Sequence, residues 1–238
     1  MKFDFIYFDS GGTIYGIFEG EDPTPKELNE LALIRVENLL NSFGYKYAIS
    51  NEEEALWKAT DHCQSYFGAM KYTYKEVLEK FFKLLNIDLP VEIITCLSDV
   101  YAGPRYSSWI FPGTLQAFKE LTNAGVELGI IANTTWSSYN MDRAFEGVGL
   151  LPYLKHRVYS GNVGYAKPEM EIFQFAENLA SIKGKRVLYV GNDIEKDVVA
   201  SKRFGWSTAF RTSEKMPSSC GKSDFDFNDI KDLVEFCR

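Results

Sequence analysis

The sequence predicts an α/β fold: a doubly wound parallel sheet with an all-helical domain inserted after its first strand. Three observations carry this. Residues 3–8 (FDFIYF) are a nearly continuous apolar run closed by Ser10-Gly11-Gly12, the pattern of a strand buried on both faces. Residues 24–102 then read as four consecutive amphipathic helices with short connections, a small bundle. From Phe111 onward, short apolar runs alternate with helical periodicity, which is how a parallel sheet with crossover helices is written.

In the first helix Thr24 is the expected N-cap, Pro25 the first turn and Glu27 the closing member of a capping box. Leu28, Leu31, Ala32, Val36, Leu39 and Phe43 follow at helical spacing, and Gly44 ends the helix. A second box, Ser50 to Glu53, opens a helix with Ala55, Ala59, Cys63 and Phe67 on one face. A third, Thr73 to Glu76, precedes Val77, Leu78, Phe81, Phe82 and Leu85, and Pro90 starts a fourth with Ile93, Ile94, Leu97 and Tyr101. Next come helix 113–124, strand Glu127–Ala132, helix 137–146, strand 157–159, helix 168–181 and strand Arg186–Val190. Helix 195–204, strands 207–210 and 225–227 and a C-terminal helix finish the chain, with 212–223 as a surface loop. The expected organisation is a Rossmann-like core at 1–16 and 108–238 and a helical cap at 17–107. Residues 15–22 and 102–110 are the expected hinges, with Gly16, Gly20 and Gly103 suited to that role.

Composition narrows the function classes. Of 238 residues, 45% are hydrophobic and 15% aromatic, which excludes a disordered chain. No stretch approaches the roughly 20 apolar residues of a membrane helix, so no membrane partner is expected. The N-terminus MKFDFIYFD is interrupted by Asp4 and lacks a signal-peptide shape, which points to the cytoplasm. The net charge of −7, with no basic run, speaks against nucleic acid. A small anion is still a fitting ligand, because a local cationic pocket can sit in an acidic protein. Cys63, Cys96, Cys220 and Cys237 form no CxxC pair, and with only His62 and His156 there is no zinc set; free thiols in a reducing compartment are expected. Monomer and homodimer are equally compatible with the sequence.

In open α/β sheets ligands bind beyond the carboxyl ends of the strands. The first tip is Asp9-Ser10-Gly11-Gly12-Thr13, a carboxylate with two glycines that let backbone N–H groups approach an anion. The second is Ala132-Asn133-Thr134-Thr135. Lys167 stands before Pro168 at a helix start, and strand 186–190 is followed by Gly191-Asn192-Asp193-Ile194-Glu195-Lys196-Asp197. A carboxylate, a lysine and a possible Mg²⁺ are a workable set for covalent phosphoryl transfer.

Four segments in this order resemble the haloacid dehalogenase superfamily of hydrolases over almost the whole chain. They are FDSGGT at 8–13, FPGTLQAFKELTNAGVELGIIANTT at 111–135, GYAKPEMEIF at 164–173 and YVGNDIEKDVVASKRFGW at 189–206. The resemblance implies that Asp9 is the nucleophile and that Lys167 steadies it and the substrate's charge. It implies that 191–197 is the acidic motif that holds Mg²⁺, with Asp9, the Gly11 carbonyl and Asn192 or Asp193 as ligands. It implies a cradle for the transferred group from Gly11, Gly12, Asn133 and Thr134, with Asp197 supporting the loop or Lys167. The implied activity is hydrolysis of a small organic phosphate.

Three positions depart from the phosphatase pattern. Gly11 stands where a second aspartate serves as acid and base, Ala132 where a Ser or Thr ends the second strand, and Asn192 where the acidic motif begins with Asp. The metal-independent dehalogenase branch also lacks the second aspartate and has an asparagine in its last motif, which makes a halide-releasing hydrolase the first alternative. Its halide cradle comes partly from the cap, where Lys26 and Arg35 read as solvated helix-face charges. The second alternative is a catalytically impaired ligand-binding or interaction protein. Thr13 is unspecific, neither histidine resembles a general base, and Trp57, Trp109, Trp136 and Trp206 read as packing residues. Cap closure over the strand tips is the expected means of excluding bulk water.

Overall fold

The computed structural model describes residues 1–16, 25–103 and 110–238. Six parallel strands form one sheet in the order β3-β2-β1-β4-β5-β6, and the predicted doubly wound α/β class is the one observed. The strands are β1 (Phe5–Phe8), β2 (Glu127–Ala132), β3 (Leu154–Tyr159), β4 (Val187–Gly191), β5 (Ser207–Arg211) and β6 (Phe225–Phe227). β1 is central, and all four of its residues are buried. Ile6 and Phe8 join the core on one face with Phe118, Leu128, Ile130 and Leu188, while Phe5 and Tyr7 join the other with Ile172, Phe173 and Tyr189. Two apolar faces explain why this strand shows no polar alternation.

Five helices lie between β1 and β2: α1 (Pro25–Ser42), α2 (Glu53–Phe67), α3 (Tyr74–Leu84), α4 (Val91–Ala102) and α5 (Thr114–Asn123). The first four enclose a separate core built on Leu33, Val36, Leu40, Leu56, Ala59, Leu78, Phe81, Phe82 and Leu97. In contrast, Phe118 and Leu121 of α5 belong to the sheet's core.

Several local expectations change. The buried face of α1 is Ala32, Leu33, Val36 and Leu40, whereas Leu31 and Phe43 are exposed. Leu31–Ile34 is apolar at every position, so periodicity alone fits more than one face and packing against α4 decides. Ser50 does not cap α2: the N-cap is Glu52, without a side-chain bond. Glu37 of α1 instead accepts the Ile49 and Ser50 N–H groups at 2.7 and 2.8 Å, pinning that loop to the first helix. The box from Thr73 to Glu76 is present. Phe67 and Trp57 are exposed rather than packed. Arg35 is not a solvated charge: its Nε and Nη2 donate to Val100 and Tyr101 carbonyls, both at 3.0 Å, closing the C-terminus of α4. β3 begins three residues earlier than expected, because Lys155, His156 and Arg157 belong to a sheet-edge strand and mask its pattern. The expected hinges fall largely outside the described residues, as do Gly20, Thr24, the side chains of Lys26 and Glu27, and Trp109.

The remaining helices are α6 (Ser138–Gly147), α7 (Ser160–Val163), α8 (Met170–Ala180), α9 (Ala200–Phe204) and α10 (Ile230–Cys237). α8 starts at Met170 rather than at Pro168, and the stretch expected as helix 195–204 is a π-helical turn, Ile194–Val199, running into α9. The helical domain is tied to the sheet by polar contacts. Tyr74 N–H donates to the Thr135 carbonyl at 2.9 Å, and Trp136 Nε1 donates to the Tyr74 hydroxyl at 3.0 Å. Asp99 accepts from Asn140 Nδ2 and Arg143 Nε at 2.8 and 2.9 Å, and Lys71 pairs with Glu169. Gly161 lies so close to the backbone oxygens of Tyr72 and Thr134 that a Cβ there would clash with both. Among the described residues no helix is long and apolar enough to cross a membrane. All four cysteines are free thiols.

Candidate active site

The sheet order reverses direction between β1 and β4, and the crevice above their carboxyl ends is where such sheets bind ligands. Asp9 follows β1, and its N–H donates to Val190 on β4 at 2.8 Å, which fixes the strand tip against its neighbour. Its side chain is about nine-tenths buried. Lys167 reaches it from the loop before α8, with Nζ 2.7 Å from Asp9 Oδ1. The same Nζ lies 2.6 Å from Asp197 Oδ1 and 2.8 Å from the Tyr189 hydroxyl. An ammonium has three N–H donors, so Lys167 is saturated by protein.

Each member of this centre is itself held. Asp197 Oδ2 accepts from Asn192 and Asp193 N–H at 3.1 and 2.9 Å, so the loop after β4 closes around it. Gly191 makes this approach possible, since a Cβ there would run into the Asp197 side chain. Tyr189 donates to the Ile131 carbonyl at 3.0 Å and accepts from Lys167. The Asn133 amide grips the main chain of Lys167 on both sides, with Nδ2 to its carbonyl and Oδ1 from its N–H, each at 2.8 Å. Glu169 accepts the Ala166 N–H and pairs with Lys71, linking the lysine loop to the helical domain.

The electrostatics follow from burial. Desolvation pushes the Asp9 carboxyl up to about 6; Lys167 opposes this and the charge on Asp197 adds to it. Burial works against the charge on Lys167, but Asp197 and Asp9 outweigh it and hold the ammonium well above its ordinary value. Two carboxylates and one ammonium leave the centre with one net negative charge when all are ionised.

The expected site residues are distributed unevenly. Asp9, Gly11, Gly12 and Asn192 lie together. Gly12 has φ +80° and no room for a Cβ beside the Asn192 amide. Its N–H donates to the Tyr15 carbonyl at 2.7 Å. Asn133 serves Lys167, as above. Thr134 is engaged by its neighbours: its N–H donates to Ser160 Oγ at 2.9 Å and its hydroxyl accepts the Trp136 N–H at 3.0 Å. Asp193 caps the turn after β4, with Oδ1 accepting from Glu195 and Lys196 N–H and Oδ2 2.9 Å from Lys196 Nζ.

Two partners escaped the sequence reading. Thr13 Oγ1 lies 3.3 Å from Asp9 Oδ2, and its signal is a hydroxyl four residues after the carboxylate in a tight turn. Tyr189 was hidden in an apolar strand; the clue is that a buried phenol needs a partner. Tyr189→Phe is expected to destabilise the fold by about 1–3 kcal/mol, because a Lys167 proton and the Ile131 carbonyl both lose a partner. Urea midpoints of the two proteins check this, and equal midpoints would refute it.

The fit of Mg²⁺ rests on the Asn192 amide. Its inward atom lies 3.0 Å from the Gly11 carbonyl, 3.3 Å from Asp9 Oδ2 and 3.1 Å from Thr13 Oγ1. With nitrogen inward, these are hydrogen bonds. With oxygen inward, a carboxylate, a carbonyl and an amide oxygen converge. An octahedral ion with ligands at about 2.0–2.1 Å sets neighbouring ligand oxygens roughly 2.9 Å apart. In the oxygen-inward orientation the residues present therefore fit the ion.

A doubly wound sheet, a helical insertion after β1 and a lysine-held carboxylate at the strand tips together define the class. The chain belongs to the haloacid dehalogenase-like hydrolase family, which it matches over residues 3–205. It is similar to the glyceraldehyde 3-phosphate phosphatase of Methanocaldococcus jannaschii, 25% identical over 54% of this chain and 56% of that one. The chain thus spans about half the length of the curated relatives it matches. Its fold is similar to a 2-haloacid dehalogenase of Pseudomonas syringae pv. Tomato DC3000, with TM-score 0.63, 16% identity and 98% and 97% of the two chains covered. It is also similar to the HAD-hydrolase YfnB of Bacillus subtilis, solved bound to magnesium, with TM-score 0.55, 14% identity and 99% and 98% covered.

Proposed function

We propose that this hydrolase cleaves small organic phosphates through Asp9, with residues 17–107 acting as a cap over the core at 1–16 and 108–238. The observation that carries the reading is the Lys167 ammonium 2.7 Å from Asp9 Oδ1. It fixes the carboxylate in orientation and opposes the burial that would protonate it, so at neutral pH Asp9 is mostly ionised and able to attack phosphorus. The covalent aspartyl phosphate is then hydrolysed by water admitted beneath the helical domain. Asp9, the Gly11 carbonyl and Asn192 would hold Mg²⁺, and Asp193 is set aside because both its oxygens are engaged elsewhere. Bound there, the ion supplies positive charge that reduces repulsion between the carboxylate and an anionic substrate. The phosphatase relative and the magnesium-bound fold neighbour support this reading.

A second reading, halide release by attack on carbon, is favoured by one feature: with its nitrogen inward, Asn192 satisfies Asp9 and Gly11 without a cation. The test is phosphate release from a panel of small phosphoesters with Mg²⁺ and with chelator, run beside halide release from 2-halo acids. Mg²⁺-dependent phosphate release supports the proposal. Chelator-indifferent halide release replaces it with the second reading. No turnover of either kind points to a protein that binds without reacting.

The neutral ligand sets a further expectation. Asn192→Asp adds a second carboxylate beside Asp9 and should tighten Mg²⁺ binding by about tenfold or more, since ligand charge tunes such sites. Isothermal titration with Mg²⁺ measures this, and unchanged affinity would place the ion elsewhere.

A further inference from the structure

We infer that the substrate is a phosphate whose leaving group departs without a proton: an acyl phosphate or an aryl phosphate of an acidic phenol, rather than an alkyl ester. The inference rests on the proposed phosphatase reading and narrows it. When Asp9 attacks, the bond from phosphorus to the leaving oxygen breaks and its electron pair stays on that oxygen. An alkoxide is too basic to leave unaided, and a positioned acid contributes about 10²–10⁴-fold to such a step. A carboxylate or an acidic phenolate is a stable anion and requires none.

The described residues around Asp9 offer no such acid. Gly11 has no side chain. The three Lys167 donors are taken by Asp9, Tyr189 and Asp197. Asp197 is fixed on Lys167 and two backbone N–H groups. The Tyr189 hydroxyl donates to Ile131. Ser10 is buried and accepts from the Tyr15 hydroxyl at 3.1 Å, and Thr13 and Asn192 are not acids near neutral pH. The histidines are remote in the fold: His62 stacks on Tyr66 in the helical domain, and His156 packs on Phe5, opposite Gly129 in the middle of β2.

The second half-reaction has the same gap. Water attacks the aspartyl phosphate, the bond from phosphorus to the Asp9 oxygen breaks, the carboxylate is regenerated and the water's proton leaves on inorganic phosphate or to solvent. Among the described residues no base stands beside Asp9, so this step is expected to be slow and the covalent form to accumulate once the leaving group has gone.

The experiment is a leaving-group series on the full chain with Mg²⁺: acetyl phosphate, 4-nitrophenyl phosphate, phenyl phosphate and glycerol 1-phosphate. The expected result is a steep fall of kcat/KM with leaving-group basicity, glycerol 1-phosphate lying at least about 10²-fold below acetyl phosphate. A burst of 4-nitrophenol, and a mass increase of one phosphoryl group on the peptide carrying Asp9, should accompany it. Gly11→Asp should raise kcat/KM for glycerol 1-phosphate by about 10²–10⁴-fold and abolish the burst. The left-handed backbone falls on Gly12 and not on Gly11, so a side chain at residue 11 carries no backbone penalty of that kind. If the wild-type chain turns over glycerol 1-phosphate as fast as acetyl phosphate, a proton donor exists and the inference is wrong while the phosphatase reading stands. If no substrate in the series releases phosphate, both fall together.

Discussion

Asp9→Asn is expected to abolish turnover and, in the same step, to make the fold more stable at neutral pH. The first effect follows if the carboxylate oxygen is the attacking atom, because an amide cannot replace it. The second follows from linkage. Burial holds the Asp9 carboxyl at about 6, above its ordinary 3.8, so the folded chain binds that proton more tightly than the unfolded chain does. Stability from this group is fully present below about pH 4 and is lost as pH rises through about 6. Above that range the ionised, buried carboxylate works against folding. At about 1.4 kcal/mol per pH unit, the window between 3.8 and about 6 amounts to roughly 3 kcal/mol at most. The asparagine has no such window, and Lys167 keeps Asp197 as its ion-pair partner. Melting temperatures of both proteins from pH 4 to pH 8 should therefore diverge as pH rises, with the variant higher. A variant that is inactive yet no more stable at pH 8 would mean that the carboxylate carries no strain.

The parts of this centre visible in the sequence are those that sit at strand ends or, for Lys167, just before a helix start. Asp9, Lys167 and the 191–197 loop interrupt apolar or turn patterns, so a reader following strand tips meets them in order. The parts hidden from the sequence have ordinary local explanations. Tyr189 is one aromatic residue in a buried strand, and only the fold shows its hydroxyl against Lys167. For Asn133 the family resemblance implies a phosphate contact. Its amide is bonded to the Lys167 main chain, a partner 34 residues away that periodicity cannot reveal. Asp193 and Asp197 are equally acidic in the sequence. The tight turn after Gly191 separates them, directing Asp197 to Lys167 and leaving Asp193 as a cap. The helices were legible as helices from their apolar periodicity. Which face of α1 is buried was not, because an all-apolar stretch leaves that choice to tertiary packing.

Lys167→Met should act in the opposite direction to Asp9→Asn. Methionine fills a similar volume but removes the ammonium shared by two buried carboxylates, which then lose that partner in a low-dielectric interior. Removing one partner of a buried pair costs about 3–5 kcal/mol. The loss should be largest at pH 7–8 and shrink on acidification, because Asp9, its carboxyl pushed still further up without the ammonium, takes up a proton. Turnover should fall with it, by at least about a hundredfold, since the attacking carboxylate loses both its orientation and the charge that keeps it ionised. The double variant Asp9→Asn with Lys167→Met separates coupling from general disruption. With Asp197 as the remaining carboxylate of the pair that Lys167 served, part of the destabilisation should be recovered relative to Lys167→Met alone. The two single effects should then fail to add, by more than the few tenths of a kcal/mol expected of independent sites. Additive denaturation energies would mean that Asp9 and Lys167, although 2.7 Å apart, do not work as one electrostatic unit.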